Sequence, residues 1–418
     1  MRTSRVRSFI AVLVSGCLCF LAVLATPAIS GAANESSTTT IGSQPPTSLN
    51  RSASGAEVTE IPGFGNQVMQ VAAGVPLIVG VGPAVGPAVG VSSFEEFTTR
   101  VPSSSSYLHK VVQQFFANGG KQAFISGSAD ASAAAIIAAF LSPIPGAVDL
   151  FVSADLNALP ASEWIGVAVA MGRAAERSHA IALIDVPQSV VSAAKESPTG
   201  FDSLTALGTD LRTASGLAAK SMFVFASGGV TSEGALLPMA PFMAGLYAAN
   251  AQNKGVWTVP TGFGNTIAGV MPHFATSISQ SAELQTSGLV PLSYMPGRGT
   301  VVASDRLLSS PDDAVQNTGT LNSIEAHLQQ MMQQYVFSPN DPATWAAICA
   351  AFSTYLTQLW QQGVLLGPTA ADAFTANCQA LSAQQILNGY INVQVGVAVQ
   401  SPGQFVTFTL TQQQAASG

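Results

Sequence analysis

The chain has 418 residues, of which 48% are hydrophobic and 9% charged, with a formal net charge of −7. Its length allows more than one domain with a substantial core, while its charge content lies far below the roughly 25% usual for soluble proteins. Without Arg2, Arg5 and Arg7 the balance falls to −10, which argues against a general affinity for nucleic acid, because that needs clustered Lys and Arg to displace counterions.

The first stretch, MRTSRVRSFIAVLVSGCLCFLAVLATPAISGAAN, has a basic start, an apolar run from Phe9 to about Ala25 and small residues from Ala28 to Ala33. Those are the parts of an export signal. V-S-G-C at Val14–Cys17 also fits a lipoprotein-type box, although Leu18–Leu24 continue the apolar run, which equally suits an uncleaved anchor. Cleaved signal, anchor and lipid attachment all stay open for residues 1–33, the only segment expected to meet a membrane. Beyond it no apolar run is long enough to span a bilayer, so the hydrophobic excess points to surface concealed against partners. Cys17 and Cys19 lie in this first segment, whereas Cys349 and Cys378 sit in apolar helical contexts. The latter two read as buried thiols, or as a disulfide if the protein is exported. Residues 34–66 form a polar, Ser/Thr-rich linker and N-terminal arm.

Residues 67–306 carry a repeating alternation. Val75–Val81 reads as a strand, followed by the short repeat VGPAVGPAVG. Tyr107, Leu108, Val111, Val112, Phe115 and Phe116 share one helical face, Asn118-Gly119-Gly120 ends that helix, and Gln122–Ser126 begins a strand. The runs VDLFVSAD, AIALIDVP, SMFVFASG and GVWTVP then predict buried strands. Helices near Ala161–Ser178, Leu204–Lys220 and Pro238–Asn250 separate them. Strands apolar throughout, alternating with helices, predict an α/β fold with a mostly parallel sheet covered by helices.

Residues 307–418 predict a smaller α+β domain. Leu321, Ile324, Leu328, Met331 and Tyr335 suit one helical face. Asp341-Pro342 is a helix start and Gly363 a stop, with Trp345, Ile348, Cys349, Phe352, Leu356 and Leu359 recurring at spacings of three and four between them. Tyr355 and Trp360 lie off that stripe, so this helix needs cover on more than one side. Ile391, Val393, Val395, Val397 and Val399 alternate, and Val406, Phe408 and Leu410 repeat the alternation after a Ser401-Pro402-Gly403 turn. Two antiparallel strands are expected there.

The order of these features resembles one family. SSFEEF followed by YLHKVVQQFFANGGKQAFIS, then IALIDVPQS, PMAPFMAGLYAANAQNKGVWTVPTGFGNTIAGV and SGLVPLSYMPGRGTVVASDRLL, is similar to the core of contractile phage tail sheath proteins. VFSPNDPATWAAICAAFSTYLTQLWQQGVLLG, AFTANC and INVQVGVAVQSPGQFVTFTL resemble the C-terminal domain of the same family, also found in phage-derived contractile injection particles. The likeness covers roughly residues 60–412 and rests on the ordered set of segments.

The resemblance implies a subtilisin-like sheath core over 67–306 and a sheath C-terminal domain over 307–418. It also implies a structural subunit without cofactor that stacks on copies of itself around an inner tube, with a baseplate at one end. Neighbouring sheath subunits exchange terminal strands, which makes Ile391, Val393, Val395, Val397, Phe405, Val406, Phe408 and Leu410 candidates for inter-subunit pairing. Trp345, Ile348, Phe352, Leu356, Leu359 and Trp360 become the packing face of the long C-terminal helix.

Two departures qualify this picture. The chain has PDDAVQNTGTLNSIEAHLQQ where the family often carries a basic, aromatic stretch. It also begins with an export-like segment, although sheaths normally assemble in the cytoplasm. The alternative reading is an exported, sheath-derived surface or binding protein that forms no sleeve.

Enzyme motifs are weak throughout. Asp185 stands at a strand end and Ser227 precedes Gly228-Gly229, but none of His109, His179, His273 or His327 has the context of a subtilisin-type triad. GVGPAVG, from Gly80 to Gly86, follows a strand, yet Pro83 and Pro87 remove donors and disfavour the helix a phosphate loop needs. GFGNTIAG, from Gly262 to Gly269, is no stronger, and HExxH, paired CxxC and Walker-type lysine loops are missing. Adjacent Glu95 and Glu96 read as helix-start acids that complement the dipole.

Overall fold

The computed structural model describes residues 73–413 apart from 83–85, 145–146, 259, 311–312 and 379–389. The readings made for residues 1–66 and for the centre of VGPAVGPAVG lie outside the described residues.

The main sheet contains β1 (Pro76–Val81), β2 (Val89–Val91), β3 (Ala123–Ser128), β4 (Leu150–Ser153), β5 (Ile181–Asp185) and β6 (Met222–Phe225). Its six strands run in the order β2-β3-β1-β4-β5-β6, with β2 antiparallel and every other pairing parallel. Side chains alternate across the pleat, and both faces are apolar: Leu77 and Val79 enter one layer while Ile78 enters the other. This double burial is why the strands read as unbroken hydrophobic runs.

Helices cover both faces. In chain order they are α1 (Phe94–Arg100), α2 (Ser106–Ala117), α3 (Ala133–Phe140), α4 (Ala161–Arg177), α5 (Gln188–Glu196), α6 (Pro198–Ser215), α7 (Ala240–Lys254) and α8 (Ile278–Ser287). Phe140, Trp164, Met171, Leu204 and Leu211 pack from α3, α4 and α6 onto one face. Phe97, Leu108, Phe115, Phe242 and Met243 pack from α1, α2 and α7 onto the other. Local chemistry starts several of these helices: Ser93 and Ser105 accept the backbone N–H groups of Glu96 and Leu108 at 3.1 Å each, satisfying donors that a first turn leaves open.

GVWTVP is not a strand. Gly255, at φ 91°, ends α7, and Thr258 N donates to Gly255 O at 3.1 Å to close a turn. Trp257 is 38% exposed there. A positive φ suits glycine and interrupts the apolar run before it can extend. The outer edge of β6 is instead covered by a distant segment. Val290 N donates to Val224 O at 2.7 Å, Ala226 N donates to Val290 O at 3.0 Å, and Leu308 N donates to Met222 O at 2.9 Å. These bonds satisfy part of an edge that would otherwise invite pairing.

Six short strands follow: β7 (Gly229–Thr231), β8 (Leu236–Leu237), β9 (Thr266–Ile267), β10 (Val270–Pro272), β11 (Leu292–Met295) and β12 (Gly299–Val302). They form two three-stranded antiparallel sheets, β10-β7-β8 and β11-β12-β9. The C-terminal region contains α9 (Val315–Gln333), α10 (Pro342–Gln361), α11 (Ala370–Ala373), β13 (Phe374–Asn377), β14 (Tyr390–Val397) and β15 (Val406–Gln413). Here the sheet is antiparallel, in the order β13-β14-β15. The whole is a mixed α/β fold whose parallel-rich sheet is flanked by helices.

Candidate assembly interface

α10 begins and ends on the residues that its sequence marks. Asp341 Oδ1 accepts Thr344 N at 2.8 Å, Pro342 occupies the first turn, and Gly363 takes φ 77° just past the end. Its buried stripe is dry: Ile348, Phe352 and Leu356 are 0% exposed and Leu359 4%. Trp345 and Trp360 are half-buried and spend their indole N–H groups on polar partners. Trp345 Nε1 donates to Asn340 Oδ1 at 2.7 Å, and Asn340 Nδ2 donates onward to Tyr390 O at 3.2 Å. The start of α10 is thereby tied to the start of β14. Trp360 Nε1 donates to Gly367 O at 2.9 Å. Tyr355, off the stripe, stacks on His327 of α9 with ring centroids 4.3 Å apart. The second apolar side of α10 is thus covered by α9.

β14 is the central strand, paired on both sides. Its register with β15 sets Val393 opposite Leu410, Val395 opposite Phe408 and Val397 opposite Val406. Ile391, Val393, Val395, Val397 and Leu410 are buried against α9 and α10, and Phe408 packs beside them partly buried. Phe405 and Val406, at the turn end, are each 37% exposed. The opposite face presents Asn392, Gln394, Thr407, Thr409 and Thr411, polar without charge. β15 is an outer strand, and its free edge has no strand partner among the described residues.

α9 joins this region to the main sheet. Val315 is buried with the α1–α2–α7 layer, whereas Ile324, Leu328 and Met332 are buried with α10. A Cβ added at Gly319 would stand 2.4 Å from the Tyr247 hydroxyl oxygen of α7, so this crossing admits only glycine without movement. A few residues on, Glu325 Oε2 meets His179 Nδ1 at 3.1 Å. His179 holds φ 51° between α4 and β5, a left-handed conformation uncommon outside glycine. The bond to Glu325 raises the His179 pKa, with burial pulling the other way. Beside this contact lies a cavity of about 300 Å³ lined by Asp149, Ser178, His179, Tyr247, Asn322 and Ser323 among others. Asp149 is one of the residues lining that cavity. Its carboxylate accepts Gly74 N at 2.5 Å and Val75 N at 2.6 Å, fixing the entry to β1. Burial pushes its pKa up to about 7.

Four of the residues weighed for catalysis have structural partners. Asp185, buried at the end of β5, accepts Met239 N at 2.5 Å and Ala240 N at 3.0 Å, serving the first turn of α7; burial pushes its pKa up to about 7. Ser227 Oγ donates to Gly228 O at 2.9 Å and accepts Phe274 N at 3.0 Å. His109 meets Ser104 Oγ at 2.8 Å and lies edge-on to Phe97 at 5.0 Å. Glu96 folds back to accept Ser92 Oγ at 2.6 Å and Ser92 N at 2.7 Å, and these bonds, the hydroxyl's first, lower its pKa. Among the described residues, no group of three His, Cys, Asp or Glu side chains has metal-holding geometry. No described helix is long and apolar enough to cross a membrane.

Sequence reading missed the Gly319–Tyr247 crossing and the His179–Glu325 pair. A glycine inside a helical pattern, as in NTGTLN, is the signal that marks the first; His179 carries none. Cys349 and Cys378 are joined in a disulfide, resolving the two readings left open for them.

No protein-family model matches the chain, and no curated protein matches it. Its fold is nevertheless shared with solved sheath structures. The sheath complex of an extracellular contractile injection system, PVC, in the contracted state aligns with TM-score 0.64 and 21% identity, over 90% of this chain and 99% of that one. A chain of the anti-feeding prophage helical sheath in the contracted state aligns with TM-score 0.61 and 23% identity, over 85% and 100%. A sheath tail protein of Desulfitobacterium hafniense aligns with TM-score 0.58 at 7% identity, over 84% and 99%. The chain therefore has the fold of contractile tail sheath proteins.

Proposed function

We propose that this chain is a structural, non-catalytic subunit of a contractile-sheath-like assembly that polymerises with copies of itself around an inner tube. One observation carries the reading: the likeness to a solved sheath chain covers nine-tenths of this chain. Every one of the known chains described above is aligned over essentially its whole length, which supports a subunit of the same overall build. The low charge content fits a subunit whose surface is hidden by its neighbours. An exported surface protein that forms no sleeve is the less favoured reading, because it leaves that surface unexplained.

Strand exchange is the proposed fastening. The edge strand carrying Val406, Phe408 and Leu410, with Phe405 just before it, would offer its backbone to a neighbour. The buried series Ile391, Val393, Val395 and Val397 would hold the acceptor sheet in shape. Main-chain bonds supply the affinity in such an arrangement, and alternate side chains set the register. A baseplate and a tube are the remaining partners on this reading.

Negative-stain microscopy of the chain lacking residues 1–33 tests the proposal. Striated tubes or rings are expected; uniformly monomeric particles across salt and protein concentration would sink it. Removing residues 404–418 should leave a folded chain that assembles poorly, and unimpaired polymers would remove the strand-exchange role.

A further inference from the structure

The Cys349–Cys378 bond links α10 to the end of β13, with Cα atoms 5.9 Å apart across a sequence separation of 29. β13 is only four residues long and is the outer strand opposite β15. Its hydrophobic hold is slight: Phe374 and Ala376 are partly buried, while Thr375 and Asn377 are exposed. So short an edge strand is held to the sheet by only four residue pairs with β14. The disulfide sits at that weak point. Both cysteines are only partly buried, so reagents in solution can reach them, unlike thiols sealed in a core. They are also the only cysteines beyond Cys17 and Cys19, so within residues 20–418 each has a single possible partner.

We propose that the C-terminal sheet is completed by oxidation of this cysteine pair, and that the subunit becomes competent to assemble in an oxidising compartment. The oxidant is a disulfide-bearing exchange partner. One cysteine thiolate attacks a sulfur of that disulfide, giving a mixed disulfide and releasing the partner's first thiolate. The second cysteine thiolate then attacks the chain's own sulfur in the mixed disulfide, closing Cys349–Cys378 and releasing the partner's second thiolate. The chain loses two electrons, the partner gains them, and the two thiol protons end on the released dithiol. Such bonds persist in secreted and periplasmic settings and are removed by the thiol pools of the cytosol. The assembly half of this inference rests on the sheath reading; the oxidation half does not.

The test uses the full chain. Native protein, taken from its own host without reductant, is alkylated and mapped by mass spectrometry. Cys349 and Cys378 should resist alkylation until a reductant is added; freely alkylated thiols in the native protein would overturn the inference. Hydrogen exchange at Phe374–Asn377 is then compared with and without dithiothreitol, and in the double variant Cys349→Ala/Cys378→Ala. Exchange should quicken at least tenfold on reduction and in the variant, while α10 and the main sheet stay protected. Unchanged exchange in the reduced wild-type chain would overturn the fastening role even if the variant folds poorly. Particles imaged in parallel separate the two readings. Polymers that form equally well reduced and oxidised would defeat the link to assembly. If neither form polymerises, the sheath reading fails and the exchange data still decide the oxidation step.

Discussion

Gly319 of α9 lies directly beneath the hydroxyl of Tyr247 on α7, with room for a hydrogen but not for a methyl group: a Cβ there would stand 2.4 Å from the oxygen. This contact sets how closely the helix that opens the C-terminal region approaches the main core. Gly319→Ala should therefore destabilise by about 1–3 kcal/mol through overpacking, despite alanine's advantage in helix propensity of about 1 kcal/mol. Tyr247→Phe removes the obstructing atom, so the double variant should recover most of the loss in urea unfolding. Absence of recovery would show that the fit is limited elsewhere.

Stability should fall as pH rises from about 5 to 8, because three groups act in the same direction. The bond to Glu325 raises the folded pKa of His179. Its contribution is therefore complete below the unfolded value of about 6.5 and is lost as pH climbs through the folded one. Burial holds Asp149 and Asp185 at about 7, against an unfolded value of about 3.9. Between those values the folded chain binds protons that the unfolded chain releases, so rising pH favours unfolding. Thermal midpoints across this range give the measurement, and Asp149→Asn should flatten part of the slope. A midpoint that increases with pH contradicts the assignment.

Phe352 is fully buried between α10 and the C-terminal sheet. Phe352→Ala should cost about 3–5 kcal/mol, through lost transfer energy and a cavity that the rigid sheet cannot close. Trp360→Ala should cost less, since that ring is half-exposed and its N–H bond to Gly367 O can be replaced by water. Equal losses in chemical denaturation would mean that the half-exposed ring anchors the helix as firmly as the buried one.

Ser227→Ala removes the acceptor for Phe274 N in a buried turn. The expected effect is a stability loss of about 1–3 kcal/mol, with no change in any hydrolase assay. Hydrolysis by the wild-type chain that vanishes in this variant would revive a catalytic reading of Ser227.

Asp341→Ala should weaken the start of α10 by about 0.5–2 kcal/mol, because the carboxylate accepts Thr344 N at 2.8 Å. Asp341→Asn should recover much of that loss, since an amide oxygen can accept the same bond. Failure of the asparagine variant to recover would point to the charge near the helix dipole as the larger contribution.

Much of this molecule follows from local pattern. Unbroken apolar runs such as IALID and MFVF give strands buried on both faces, and those demand helices on both sides. The spacing of Ile348, Phe352, Leu356 and Leu359, with Asp341 and Gly363 at its ends, predicts α10 with its boundaries. The alternation of Ile391–Val397 and Val406–Leu410 predicts a hairpin with its inner face. Those signals are readable because burial and capping act over a few residues.

Other features depend on chain segments that meet only after folding. GVWTVP has the composition of a strand, yet Gly255 turns it outward while Val290, from a later segment, takes the edge of β6. The crossing of Gly319 with Tyr247, the pairing of His179 with Glu325 and the closure of Cys349 on Cys378 join residues 72, 146 and 29 positions apart. Periodicity carries no information about which distant side chains come to face each other. Composition established a chain poor in charge, and local pattern established strands that lie between helices; where the C-terminal region seats on the core, and what holds its sheet, is decided by packing in three dimensions.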